Sequence, residues 1–385
     1  MTGVADEIAA TIGEFVALRR DLHRHPELAF KEKRTSALVA DCLTSWGYEV
    51  VTGVGGTGVV GTLRRGPGNK ALGIRADMDA LPIHEATGLP YASGAAGVMH
   101  ACGHDGHTAI LLAAARHIAR SGAFRGTLNL IFQPAEEIGA GARAMIADGL
   151  FERFPCDAVY GLHNWPGAPA GQFGFVVGPA MASVDQALIH VAGRGGHGAA
   201  PHEAVDPIVA SASLILALQT VVSRNVDPLE MAVVTVGSIH GGTASNIIPE
   251  GVDLKVTIRS FNPRIREQMR IGIPQLARAQ AGSFGARAEV DYRLGFPAAV
   301  NPREQTLFAR DVAAAAFGAD AIDPAFRPRT ASEDFAYMLE AKPGSYLFVG
   351  NGNSAQLHNA NYDFNDEILA PAAAFWAELT RSYLS

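Results

Sequence analysis

The chain has 385 residues, 48% hydrophobic and 18% charged, the composition of an ordinary folded protein large enough for two or three domains. A net charge of −7, from 38 acidic and 31 basic residues, argues against a nucleic-acid partner. Three scattered cysteines exclude a disulfide framework, and we find no signal-peptide pattern or apolar run of membrane-spanning length, so we expect a cytoplasmic protein without membrane contact.

The first half of the chain alternates apolar runs of strand length with stretches of helical periodicity. The order strand, polar cluster, helix recurs three times, which is typical of a largely parallel sheet flanked by helices. The predicted elements are helices over 6–23, 35–46, 109–118 and 139–147, and strands over 48–54, 58–63, 70–76, 127–132 and 158–162.

A different order begins near residue 182, where strands and helices follow the split ferredoxin-like pattern β-α-β-β-α-β. The strand–helix order of the first half then resumes. We therefore predict an α/β catalytic domain, 1–181 and 297–385, with an inserted ferredoxin-like α+β domain, 182–296. The later elements are strands over 184–191, 231–239, 251–258, 286–292 and 345–349, and helices over 205–222, 263–281, 304–317, 334–339 and 366–384.

Metal-type side chains are concentrated in residues 99–108, Met-His-Ala-Cys-Gly-His-Asp-Gly-His-Thr, directly before a predicted helix. Three further segments deliver such side chains where a predicted element ends. Thiolate, imidazole and carboxylate ligands together suit Zn, Mn, Co or Ni rather than Mg or Ca, and five or more candidates exceed one tetrahedral site. A core thiol is the alternative for the cysteine. The candidates are Cys102, His104, Glu136, Glu137, His163 and His358.

The adjacent Glu136 and Glu137 suggest a division of roles. Consecutive side chains at a strand end point in opposite directions, so one carboxylate can bind metal while the other faces a substrate water. The second carboxylate can accept the proton of that water and pass it to a leaving amine. Two solvated surface glutamates are the alternative, which the apolar strand before them disfavours.

Five motifs, in order along nearly the whole chain, resemble the dinuclear-metal amidohydrolases of the aminoacylase/carboxypeptidase superfamily. The most similar branch contains hippurate hydrolase, N-acyl-amino-acid amidohydrolases and plant auxin-conjugate hydrolases. The resemblance implies a catalytic domain interrupted by a lid or dimerisation domain, and hydrolysis of an amide between an acyl group and an amino acid. The motifs are Arg75-Ala-Asp-Met-Asp-Ala-Leu-Pro, Met99-His-Ala-Cys-Gly-His-Asp-Gly-His, Gln133-Pro-Ala-Glu-Glu, Leu162-His and Leu357-His.

Carried over by position, the resemblance makes Glu136 the general base and assigns five ligands to two divalent transition-metal ions per subunit. Cys102 stands where relatives outside this branch have a bridging Asp, and Arg75 stands where they have a metal-binding His. That departure leaves Mn, Zn, Co and Ni open. The five ligands are Cys102, His104, Glu137, His163 and His358.

Three further residues are expected to support the ligands without touching metal. Asp77 matches an Asp that has this role in relatives. His100 and His107 lie on either side of Cys102 and His104 in the same segment and are expected to orient these two ligands.

Two motifs in the inserted domain match the same family. Gly195-Gly-His-Gly-Ala-Ala-Pro-His resembles a segment whose first His reaches across a dimer to stabilise an oxyanion, which implies a homodimer and makes His197 a donor into the partner's site. Ser245-Asn-Ile-Ile-Pro resembles a substrate-contacting loop and points to Asn246. Arg259, at a strand end, either clamps the carboxylate of the amino acid or forms a surface ion pair.

The predicted reaction is metal-dependent hydrolysis of hippurate-like or N-acetyl-amino acids to a carboxylic acid and a free amino acid. One alternative is a dipeptidase or carboxypeptidase on the same scaffold. The other is a non-catalytic metal- or ligand-binding protein. The presence of Glu136 beside a predicted ligand argues against the second alternative, because metal storage needs no unliganded base.

Overall fold

The computed structural model describes residues 3–121 and 124–385. The chain divides into two compact units. The first runs to Ala180 and resumes with Val300–Pro328 and Asp334–Ser385, and the second comprises Met181–Ala299 and Arg329–Glu333. The second unit includes a short segment outside the predicted insertion of 182–296. Its role as a lid or dimerisation domain stays a prediction.

The described residues form helices and strands that we number in chain order. The helices are α1 (Val4–Ala9), α2 (Ile12–Arg24), α3 (Lys33–Ser45), α4 (His104–Ser121), α5 (Gly141–Ala147), α6 (Leu150–Arg153), α7 (Pro207–Asn225), α8 (Pro263–Gly282), α9 (Arg303–Phe317), α10 (Phe335–Ala341) and α11 (Leu369–Tyr383). The strands are β1 (Glu49–Val54), β2 (Gly58–Arg65), β3 (Ala71–Asp77), β4 (Gly126–Gln133), β5 (Ala158–Pro166), β6 (Phe173–Gly174), β7 (Gly178–Met181), β8 (Ser183–Ala192), β9 (Gly196–His197), β10 (Ala232–His240), β11 (Ile247–Ile248), β12 (Gly251–Ser260), β13 (Arg287–Leu294), β14 (Ala299–Asn301) and β15 (Gly344–Gly352).

The first unit is built on a seven-stranded sheet with the order β1-β2-β4-β3-β5-β15-β6. Its four central strands, β4, β3, β5 and β15, are parallel, and antiparallel strands complete both edges. The central strands are buried along almost their whole length, which is the burial expected when helices cover both faces. The predicted mainly parallel sheet flanked by helices is confirmed.

The second unit is a four-stranded antiparallel sheet with the order β10-β12-β8-β13. Buried and exposed positions alternate along β8 and β12, so one face of the sheet is buried. The apolar sides of α7 and α8 share a core with that face, including Leu214, Leu218 and Ile273. This is the predicted ferredoxin-like domain.

One predicted helix is interrupted in the structure. The predicted helix over 6–23 is divided into α1 and α2, because Thr11 bonds back to the carbonyl of Ile8 through both its backbone N–H and its hydroxyl. Among the described residues, α7 is long and apolar enough by composition to cross a membrane, a test that a core helix also meets. Buried residues of α7, such as Leu214, belong to the core of the second unit.

Candidate active site

Parallel strands bring the predicted ligands together. The carboxyl ends of β4, β3, β5 and β15 lie at one edge of the sheet, where open α/β sheets place their sites. The turn after β4 carries Glu136 and Glu137, the end of β5 carries His163, and the loop after β15 carries His358. His358 has φ 63, a left-handed conformation that a non-glycine residue adopts only when its surroundings enforce it.

Two glycines allow the segment 99–108 to pack closely against neighbouring side chains at this edge. Gly103 has φ 88, and a Cβ atom there would lie 2.3 Å from Nδ2 of Asn164. At Gly106, an added Cβ would lie 2.2 Å from the Phe364 ring. The helix α4 begins at His104 rather than at the predicted residue 109, and His104 lies in its first turn.

The ligand atoms of the five predicted metal-binding residues are close neighbours. Sγ of Cys102 lies 3.3 Å from Nε2 of His163, and Nε2 of His358 lies 3.4 Å from Oε2 of Glu137. Nε2 of His104 lies 3.9 Å from Oε1 of Glu137. Cys102 belongs to two groups whose atoms lie within 4.8 Å of one another, one with His104 and His163 and one with Glu137 and His358.

These residues fit metal ions rather than a closed hydrogen-bond network. Nε2 of His104 and Oε1 of Glu137 are buried and have no hydrogen-bond partner within residues 3–121 and 124–385, whereas Nδ1 of His104 lies 3.3 Å from Oδ1 of Asp79. Nδ1 of His163 donates to the carbonyl of Asn164 at 2.6 Å, which leaves the lone pair of Nε2 available. A buried polar atom without a partner is destabilising, and a cation would supply the missing interaction.

The charges of the site favour a cation. Burial opposes the charged form of His104, but the carboxylates of Asp77, Asp79 and Glu137 outweigh it and raise the pKa of His104 to about 10. Burial, together with Asp79 and Asp77, raises the pKa of Glu137 to about 8 despite the opposing His104 charge. Without metal, the site therefore retains protons that a cation must displace.

His107 belongs to a further metal-type group, with Asp77 and His104, but both of its ring nitrogens are engaged by other groups. Its Nδ1 lies 2.6 Å from Oδ1 of Asp77, and its Nε2 accepts the backbone N–H of Asn164 at 3.1 Å. Asn164 also donates from Nδ2 to the carbonyl of Cys102 at 2.7 Å. The ligand segment is thus tied to β3 and β5, although the sequence analysis did not select Asn164.

Arg75 is the centre of a buried charge network. Its NH1 donates to Asp77 at 2.6 Å, its Nε donates to Gln133 at 2.8 Å, and its NH2 donates to Asp334 at 3.3 Å. Burial opposes ionisation of Asp77, but the charges of His104, Arg75 and His107 hold its pKa well below the ordinary value. Arg75 is therefore a fixed, buried guanidinium between Asp77 and Asp334.

The strand-alternation argument for the glutamate pair was wrong in its premise. β4 ends at Gln133, and Glu136 and Glu137 lie in the following turn, where Ala135 has φ 53. The turn is organised instead by Asp79, whose two carboxylate oxygens accept the backbone N–H groups of Glu136 and Glu137, each at 3.0 Å. In the sequence, only the position of Asp79 two residues after Asp77 hinted at this role for Asp79.

A second buried cluster lies beside the ligand segment. Nδ1 of His23 lies 2.9 Å from Oδ2 of Asp105, and Arg19 lies 3.4 Å from the same oxygen. His100 is buried and neither of its ring nitrogens has a hydrogen-bond partner in the described part of the chain. The predicted orienting role of His100 therefore stays a prediction.

We expect the free energy of unfolding to fall between pH 6.5 and pH 9 because of His23. Burial lowers the pKa of His23, but Asp105 and Glu85 outweigh it and raise the pKa from 6.5 to about 9. A raised folded-state pKa stabilises the protein fully below pH 6.5, and that stabilisation is lost as the pH rises through 9. The free energy of unfolding that is lost through His23 is at most on the order of 3 kcal/mol.

Urea unfolding at several pH values measures this slope. His23→Gln should flatten it, because the titrating group is gone. His25→Gln is the matched control, since His25 ends the same helix but is largely exposed, and it should keep the slope. An unchanged slope in His23→Gln would contradict the assignment.

The second unit places His197 on the two-stranded sheet of β9 and β11, and Asn246 directly before β11. His197 pairs with Ile247 across β9 and β11, and the carbonyl of Asn246 accepts the N–H of Gly198 at 2.8 Å. Nδ1 of His197 accepts the backbone N–H of Ala199 at 3.0 Å. That bond leaves the ring proton on Nε2, so His197 presents an N–H donor, as oxyanion stabilisation requires.

Arg259 is anchored within the second unit. Its NH1 donates to the carbonyl of Thr330 and to Oγ of Ser332, each at 2.9 Å. Burial lowers the pKa of Arg259. The alternative of a surface ion pair finds no support among these bonds, and the predicted contact with a substrate carboxylate stays a prediction.

Comparison with known proteins connects this geometry to a family. The sequence profile of Peptidase family M20/M25/M40 matches residues 73–382. The hippurate hydrolase of Campylobacter jejuni is 46% identical over 98% of this chain and 98% of its own. The N-acetyl-L-cysteine deacetylase of Bacillus subtilis is 41% identical over 96% of this chain and 88% of its own.

A solved structure agrees with the fold. A dinuclear metal-binding peptidase of the M20 family from Bacillus subtilis superposes with a TM-score of 0.85 at 33% identity. The match covers 98% of this chain and 99% of the other, so it includes both units.

Proposed function

This chain belongs to the peptidase family M20/M25/M40, and we propose that it hydrolyses the amide bond of N-acyl-amino acids. It is a metal-dependent amidohydrolase, as its relatives are. The proposed substrates are hippurate-like or N-acetyl-amino acids, and the products are a carboxylic acid and a free amino acid. The observation that carries the proposal is a buried carboxylate, Glu136, grouped with the metal-type ligands His104 and Glu137.

We assign two divalent metal ions per subunit, Mn, Zn, Co or Ni, to the five clustered residues. When bound, such ions polarise the amide carbonyl and lower the pKa of water. The chain's own residues then do the rest of the chemistry. Glu136 accepts a proton from the attacking water and delivers it to the leaving amine nitrogen. The ligands are Cys102, His104, Glu137, His163 and His358.

In this proposal, residues of the second unit bind the substrate and stabilise its oxyanion. We propose that it is a lid and dimerisation domain in a homodimer, and that Nε2–H of His197 stabilises the oxyanion in the partner's site. Asn246 and Arg259 contact the amino-acid part of the substrate, with the planar guanidinium facing its carboxylate. We also propose that the protein is cytoplasmic and has no nucleic-acid or membrane partner.

A substrate panel tests the proposed function. The protein, loaded separately with Mn, Zn, Co or Ni, is assayed with N-benzoyl- and N-acetyl-amino acids and with free-amine dipeptides. We expect kcat/KM to be about tenfold or more higher for the N-acyl compounds, because a site built for a neutral acyl group leaves a charged amine poorly solvated.

Two outcomes would overturn the proposed function. Faster hydrolysis of free-amine dipeptides would make the protein a dipeptidase or carboxypeptidase. Metal binding without hydrolysis of any amide in the panel would make it a non-catalytic metal-binding protein. Glu136→Gln, assayed in parallel, gives the background rate.

A further inference from the structure

The turn that carries the base contains an unfavourable backbone conformation. Ala135, directly before Glu136, is fully buried and has φ 53. A left-handed conformation is unfavourable for a non-glycine residue, so it persists only where other contacts enforce it. Those contacts decide the direction in which the next side chain, Glu136, leaves the turn.

A carboxylate from a distant part of the chain enforces this conformation. Oε1 of Glu32 accepts the backbone N–H of Ala135 at 2.9 Å and that of Phe30, which has φ 58, at 3.0 Å. Its Oε2 accepts the hydroxyl of Thr57. One buried carboxylate thus satisfies the N–H groups of two left-handed residues.

The turn is therefore held from two sides. Glu32 binds the N–H of Ala135, and Asp79 binds the next two N–H groups, those of Glu136 and Glu137. Three consecutive amides are thereby fixed by two buried carboxylates. Within this turn, Asp79 binds the N–H groups of both glutamates, whereas Glu32 binds only that of Ala135, the residue before the base.

The remaining bonds of the Glu32 carboxylate, to Phe30 and Thr57, lie outside the turn that carries the base. Glu32 begins α3 as the N-cap residue, but its side chain makes no capping hydrogen bond. It belongs to none of the metal-type groups found in the described residues. Burial raises its pKa, which shows that an ionised carboxylate is unfavourable there without compensating N–H and O–H donors.

We propose that Glu32 is a positioning residue that orients the base Glu136 by locking Ala135 in its left-handed conformation. The proposal rests on the proposed function, because it takes Glu136 as the general base. Misplacement of a reacting group by about 1 Å can lower a rate a hundredfold. The ligand Glu137 keeps its backbone bond to Asp79, so metal binding does not depend on Glu32.

Glu32→Ala tests the proposal in the metal-loaded protein. We expect kcat to fall about tenfold to a hundredfold, with KM within about twofold of wild type and metal content unchanged. Glu32→Gln keeps one carbonyl acceptor for Ala135 and should recover most of kcat. A purely structural role would instead lower the amount of folded protein without lowering kcat per metal-loaded subunit.

Glu27→Ala is the matched control. The Glu27 carboxylate also accepts two backbone N–H groups, those of Arg34 and Thr35, but these belong to the start of α3 and not to the turn after β4. This variant loses similar bonds and should retain kcat. Equal losses of kcat in Glu27→Ala and Glu32→Ala would overturn the proposal.

Hydrogen exchange keeps the test independent of the substrate. Exchange of a peptide covering residues 133–141 should accelerate in Glu32→Ala and stay unchanged in Glu27→Ala, whether or not N-acyl-amino acids are substrates. Unchanged exchange in Glu32→Ala would overturn the positioning role. Accelerated exchange in a protein that hydrolyses no amide of the panel would instead reject only the proposed function.

Discussion

Replacing Glu136 by glutamine is expected to lower turnover by about two to four orders of magnitude while leaving metal content unchanged. Glutamine has nearly the same shape, and the backbone bond from residue 136 to Asp79 remains. The amide cannot accept the proton of the attacking water, so only proton transfer is removed. Turnover is measured by amine release and metal content by elemental analysis of the same sample.

Glu137→Gln is the control for this experiment. Glu137 approaches both His104 and His358, so its substitution should lower metal content together with turnover. If Glu136→Gln lost metal in the same way, Glu136 would be a ligand, as its grouping with His104 and Glu137 permits. Near-normal turnover in Glu136→Gln would reject the base assignment.

The same variant examines the proposed donation of His197 across a dimer. His197→Ala and Glu136→Gln should each be nearly inactive alone. After subunit exchange, a mixed dimer has one site with an intact Glu136 and an intact His197 from its partner. Random mixing should then restore about a quarter of wild-type activity, because half of the dimers are mixed and each has one complete site. No recovery would confine His197 to its own subunit or exclude it from the reaction.

Replacing Cys102 by alanine is expected to lower metal content below two ions per subunit and turnover by about a hundredfold or more. Cys102 contributes to the group with His104 and His163 and to the group with Glu137 and His358, so its loss weakens both. Cys102→Asp restores an anionic ligand and should recover part of the metal. Metal stoichiometry and turnover are measured after reconstitution with each candidate ion.

Cys156→Ala separates loss of metal from loss of packing. Cys156 is also a buried thiol, and it contacts Asn129 and the carbonyl of Phe154 in the core. Its replacement should lower stability without changing metal content. Unchanged stoichiometry in Cys102→Ala would remove Cys102 from the ligands and leave the core-thiol alternative.

The candidate ligands were readable because of where they occur along the chain. Each follows an apolar strand or opens a helix, and parallel strands bring their carboxyl ends to one edge. The two-domain α/β order and the ferredoxin-like insertion followed from periodicity in the same way. The division of roles between Glu136 and Glu137 was less secure, since strand alternation does not apply in the turn where they lie.

The contacts that orient the ligands could not be read from the chain. Glu32 is 103 residues from Ala135, and Arg75 is 259 residues from Asp334. Such buried polar pairs follow no periodic pattern, and no sequence feature distinguishes a carboxylate that will form one from a carboxylate that will not. Hydrogen-bond geometry distinguishes them only after the chain has folded.

The amino-acid sequence alone predicted the kinds of candidate ligand, their placement near strand ends and the order of the structural elements, because local periodicity and side-chain chemistry can be read along the chain. Tertiary structure decided which side chains orient the others. Both ring nitrogens of His107 are occupied by Asp77 and Asn164, whereas Nδ1 of His104 lies 3.3 Å from Asp79 and its Nε2 has no hydrogen-bond partner among the described residues. The two histidines lie one helical turn apart, and only the groups packed against them separate their roles.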